Sequence, residues 1–174
     1  MPQAYPEDRI RFEFPDGWKV LRPAKGAYYK RHFQTFAGGC KEMDFILFEP
    51  VSRVLWLLEV KDYKTNRRVK PQCVFEEIAE KVRDSLALLL TSSVRDDPSI
   101  CGVRSFMDVC AIPNEIKVVL HLEQPSKPSK MFPGVKIDAD ATQKLRAKVR
   151  AVDPRARVSS TSSTDMEWRA IWSP

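Results

Sequence analysis

The sequence predicts an α/β protein with a central mixed sheet and helices on its faces. Two apolar runs, DFILFE at 44–49 and VLWLLEV at 54–60, have strand composition and lie close enough to form a hairpin. A helical apolar period follows over 72–92, and a further apolar run, KVVLHL at 117–122, returns after it. Strands, helix, strand is the order of a sheet with a helix laid across its face. At 174 residues and 20.0 kDa the chain suits one domain. It divides into an irregular N-terminal extension (1–26), a core (27–123) and a C-terminal helix and strand (124–174).

Each element has its own signal. Pro2, Pro6, Pro15 and Pro23 make the first 26 residues irregular, with a short strand at Trp18–Leu21. The aromatic and basic AYYKRHFQTF, 27–36, reads as the first core strand, and Gly38 and Gly39 as the turn after it. The run at 54–60 is apolar on both faces, so it belongs in the middle of its sheet. In the helix at 72–92, Phe75, Ile78, Ala79, Val82, Leu86 and Leu89 share one face. Glu76, Glu77, Glu80, Lys81 and Arg83 lie off it, and Glu77 and Lys81 are spaced to pair with each other. A short helix fits within 100–109, and 124–130, QPSKPSK, is a loop. Asp140 with Gln143 resembles a capping box opening a helix with an apolar stripe of Ala141, Leu145 and Val149. Met166–Trp172 reads as a last strand.

The net charge of +6 and a pI near 9.2 favour polyanionic partners, nucleic acid above all. The N-terminus is too polar for a signal peptide, and no apolar run reaches membrane-span length. Cys40, Cys73, Cys101 and Cys110 are scattered without a C-x-x-C pair, which argues against zinc or an iron–sulfur centre. They read as reduced thiols in or near a core, in a cytoplasmic protein. With two histidines in the chain, histidine-based hydrolysis has little material, and His121, inside an apolar run, reads as a satisfied core residue.

Asp44, Glu59 and Lys61 are the charges that interrupt buried strand. Alternation puts Glu59 and Lys61 on one side of their strand, and a paired neighbour brings Asp44 to the same edge. Two carboxylates with an open face suit Mg²⁺ or Mn²⁺, and a lysine beside them suits water activation next to a phosphate. The bland alternative is a turn-capping Asp44 with an ion pair at the strand end. Glu49, five residues after Asp44, points to the opposite face and reads as an exposed strand-end charge.

This D-x14-E-x-K pattern resembles the PD-(D/E)XK nuclease superfamily, which includes restriction endonucleases, archaeal Holliday-junction resolvases and RecB-type nuclease domains. The resemblance covers roughly residues 27–123 and implies a restriction-endonuclease-like αβββαβ core. It implies a Mg²⁺- or Mn²⁺-dependent endonuclease cutting DNA, with Asp44, Glu59 and the Val60 carbonyl holding the metal and Lys61 acting on water. Restriction, repair, recombination or anti-phage defence are the settings it implies, with specificity drawn from a homodimer or a partner protein. Met43 stands where many members have proline. The helical glutamate that many members carry upstream has only Glu7, Glu13 and Glu42 as counterparts, none in a helical pattern. Rival readings are the same fold binding nucleic acid or a protein without cleavage, and a plain partner-binding α/β domain.

Lys64, Arg67, Arg68 and Lys70 follow the site and can grip phosphates, or simply solvate a loop. Lys144, Arg146, Lys148 and Arg150 give the last helix a basic surface that can bind backbone phosphates or, more simply, keeps cations near its C-terminal dipole. Tyr28, Tyr29, His32, Phe33 and Phe36, interleaved with Lys30 and Arg31, suit base stacking or, more simply, a half-buried strand.

Overall fold

The N-terminal segment, expected to be irregular, forms strands. In the computed structural model, which describes residues 3–65, 73–95, 97–110, 112–124 and 139–173, β1 (Gln3–Glu7) and β2 (Ile10–Phe14) make an antiparallel hairpin. Its two-residue turn is Asp8-Arg9, with Asp8 at φ 50°, the left-handed conformation that tight hairpins require. Ile10, Phe12 and Phe14 alternate into the core while Arg11 and Glu13 point outward, a period-2 pattern that outweighs the prolines. Pro6 is tolerated because β1 is an edge strand.

The chain continues through β3 (Lys19–Leu21), β4 (Phe45–Glu49) and β5 (Val54–Asp62). Then come α1 (Val74–Val94), α2 (Cys101–Val109), β6 (Glu115–Glu123), α3 (Ala139–Val149), β7 (Arg157–Ser159) and β8 (Arg169–Trp172). The central sheet has the order β3-β4-β5-β6-β7. β3, β4 and β5 pair antiparallel, while β5, β6 and β7 run parallel. The α/β class and the mixed sheet are therefore as expected, with β5 in the middle. A second sheet, β1-β2-β8, joins the N-terminal hairpin to the last strand.

The protein is layered: small sheet, central sheet, helices. Between the sheets lie Phe12, Phe14, Phe45, Leu47, Trp56, Leu58, Val60 and Trp168. Between the central sheet and α1, α2 and α3 lie Ile46, Phe48, Leu55, Leu57, Ile78, Val82, Phe106, Leu120 and Leu145. Each fully buried side chain of this size stabilises by about 1.5–3 kcal/mol relative to exposure.

Residues 27–36 are not a strand. They make a π-helical turn at Tyr29–Phe33, followed by a 3₁₀ turn at Phe36–Gly38. Tyr28 has helical backbone angles, φ −61° and ψ −47°, and Tyr29 and Phe33, four residues apart, share one helical face. That face packs on Leu88 of α1 and on Ile100. The cysteines are free, but Cys73 and Cys101 are exposed rather than near a core. Most of the loop at 124–130 lies outside the described residues. No helix among them is long and apolar enough to cross a membrane.

Candidate functional site

Asp44, Glu59 and Lys61 do converge. Leu55, Leu57, Glu59 and Lys61 face the helices, while Trp56, Leu58 and Val60 face the small sheet. Asp44 precedes β4 with the parity of Ile46 and Phe48, one step beyond the Phe45–Leu58 pair, and so stands across from Glu59. Its approach is fixed from α1: the Lys41 N–H donates to Asp84 Oδ2 at 2.9 Å and the Met43 N–H to Ser85 Oγ at 2.9 Å. The Val60 N–H then donates to Asp44 Oδ2 at 2.8 Å. The Val60 side chain lies in the inter-sheet core, so only its backbone meets the site.

Two further charges come from α1. Lys61 Nζ lies 2.7 Å from Glu59 Oε1 and 3.0 Å from Glu77 Oε1. Lys81 Nζ lies 2.7 Å from Glu59 Oε1 and 4.0 Å from Asp44 Oδ1. Glu77 and Lys81, expected off the apolar face as a surface pair, instead turn inward; Glu77 is 1% exposed, and its partner here is Lys61. Helical spacing puts them one turn apart on the face that meets the end of β5. Burial first, then the charge of Asp44, pushes Glu59 up to about 7, against the pull of Lys81 and Lys61. Although burial opposes it, Glu59 and Glu77 hold the Lys61 ammonium above the usual lysine range.

A divalent ion asks for oxygen ligands around one shared position. Asp44 and Glu59 supply two, but the Lys81 ammonium already lies between them. Among the described residues no three carboxylate, imidazole or thiol groups gather as metal ligands. As placed, these residues do not fit the Mg²⁺ or Mn²⁺ that the resemblance implies.

Lys64, expected as a phosphate contact, is engaged inward. Its ammonium pairs with Glu123 and sits 4.5 Å from the centre of the Trp172 ring. Arg67, Arg68 and Lys70 lie outside the described residues. Glu123 belongs to a second polar cluster, at the C-terminal ends of the parallel strands on the small-sheet side. His121 Nε2 lies 3.1 Å from Glu123 Oε1, Ser159 Oγ lies 3.4 Å from His121 Nδ1, and the Thr161 N–H donates to Glu123 Oε1 at 2.5 Å. Burial alone would raise the Glu123 carboxyl, yet His121, Lys64 and Thr161 together hold it at about 2. His121 is thus a satisfied core histidine, as its apolar flanks imply. The partnership of Glu123 was not read from sequence; its spacing of two from His121 on one strand was the available signal.

No family model matches the chain, and no solved structure matches it. A cysteine–tRNA ligase of Neisseria meningitidis serogroup A / serotype 4A is 37% identical to it over 158 residues. The match covers 73% of this chain, and the chain spans 22% of that ligase. This overturns the expected Mg²⁺- or Mn²⁺-dependent endonuclease, because the similarity leads to a tRNA ligase and not to a hydrolase. It lends no support to DNA as the partner or to a homodimer. What the chain is similar to is part of an enzyme named for joining cysteine to tRNA.

Proposed function

We propose that this chain is a tRNA-engaging module, corresponding to part of a cysteine–tRNA ligase-like protein, that holds RNA by charge and stacking. The observation that carries the reading is the 37% identity to such a ligase across 73% of the chain. The net charge of +6 agrees with it, since phosphate neutralisation dominates nucleic-acid affinity. A surface of suitable chemistry lies at the turn over 29–33. Lys30 and Arg31 are exposed there, and Phe36, its ring centre 5.8 Å from that of Phe33, is 60% exposed. An exposed aromatic beside cations suits the unpaired bases of a folded RNA. The strand order β3-β4-β5-β6, with α1 crossing between the parallel pair, also supports a core of the PD-(D/E)XK type as a reading of fold.

The test is binding of labelled tRNA followed by fluorescence anisotropy, beside a DNA duplex of similar length. tRNA should bind more tightly than the duplex and weaken steeply with salt. Reversing Lys30 and Arg31 to glutamate should weaken it about tenfold, and Phe36→Ala should cost about 1–3 kcal/mol of binding. Equal affinity for duplex DNA, or no binding of tRNA, would overturn the reading.

A further inference from the structure

We infer that Lys81 is a built-in counter-cation occupying the position between Asp44 and Glu59 where a divalent ion would sit, so that removing its charge opens a divalent-cation site. The inference is independent of RNA binding. It starts from the placement of one ammonium, 2.7 Å from Glu59 Oε1 and 4.0 Å from Asp44 Oδ1, with the Lys81 side chain only 14% exposed. A surface lysine would keep its head in water. Here α1 delivers the head into the gap between two carboxylates presented by neighbouring strands.

Charge balance points the same way. Asp44, Glu59 and Glu77 face Lys61 and Lys81, three carboxylates against two ammoniums. Without Lys81, Asp44 and Glu59 lose the ammonium that sits against them both. Buried uncompensated carboxylates are costly and recruit whatever cation can reach them. A second observation concerns ligand atoms. Glu59 is 0% exposed, and its Oε2 has no hydrogen-bond partner among the described residues. A buried oxygen with spare lone pairs beside a second carboxylate is what a hard cation binds, and magnesium and manganese take such oxygens with water completing the shell. Lys61 does not compete for the role, since its ammonium is held between Glu59 and Glu77.

The experiment uses Mn²⁺ as the probe, with free ion counted by electron paramagnetic resonance and melting followed with and without metal. The proteins are the full chain and its Lys81→Ala, Lys81→Met, Lys81→Arg and Lys81→Ala/Glu59→Gln forms. Lys81→Ala and Lys81→Met should bind Mn²⁺ at least about tenfold more tightly than the parent, and Mn²⁺ should raise their melting temperatures but not the parent's. Lys81→Arg, which keeps the charge, should behave like the parent, and adding Glu59→Gln should abolish the gain. Should Lys81→Ala fold only with Mn²⁺ present, the inference is supported. Parental Mn²⁺ affinity in both neutral variants, or tight binding that survives Glu59→Gln, overturns it.

Discussion

Glu59 carries no exposed surface yet touches two ammoniums, one from its own strand and one from α1. A buried carboxylate in that position is kept by its partners, and they by it. Glu59→Ala would leave Lys61 and Lys81 facing each other in a low-dielectric gap. It should destabilise by about 3–5 kcal/mol, read from urea unfolding. Loss below about 1 kcal/mol would show that the three charges are effectively solvated. Glu123 allows a pH test with a definite sign. Its folded value of about 2 lies below the ordinary 4.5, so its contribution is complete above about pH 4.5 and fades as pH falls towards 2. The stability gap between parent and Glu123→Gln should therefore narrow between about pH 5 and about pH 3. Parallel curves would sink the assignment. At this scale the convergence of Asp44, Glu59 and Lys61 was legible, because alternation along two paired strands dictates it. Glu77 and Lys81 were not: their spacing fits an exposed pair as well as it fits two inward contacts.

Among the elements, α1 organises the site. Its apolar face seats on the central sheet, its Asp84 and Ser85 hold the backbone leading to Asp44, and its Glu77 and Lys81 complete the ion cluster. Ile78, fully buried beneath this helix, should lose about 2–5 kcal/mol on substitution by alanine. Leu90, on the same helix but 67% exposed, should change stability by no more than about 0.5 kcal/mol when treated likewise. Denaturation midpoints decide it, and similar losses at both positions would mean that α1 is not seated as described. The strand expected at 27–36 shows why aromatic composition misleads. Tyr and Phe favour strands, but here Tyr29 and Phe33 meet their core at the helical spacing of four. The reverse error befell 1–26, where proline content concealed the alternation of IRFEF.

Across the whole molecule, the last strand closes on the first hairpin. β8 pairs with β2, and Trp168 packs edge-on against Trp56 at 5.2 Å and against Trp18 at 6.2 Å. Trp168→Ala should therefore cost about 3–5 kcal/mol and loosen the small sheet, seen as faster amide exchange in β2 and β8. Unchanged exchange would show the small sheet to be held by its hairpin alone. The sequence by itself determined the α/β class, the hairpin of β4 and β5, the crossover by α1 and the meeting of Asp44 with Glu59 and Lys61. Those follow from local periodicity, which each strand or helix carries in its own residues. Only the tertiary structure decided that Lys81 enters the gap between the carboxylates, that Lys64 turns inward to Glu123, and that the termini build a second sheet. Such contacts join residues far apart in the chain, and their choice depends on which faces the packed layers bring together.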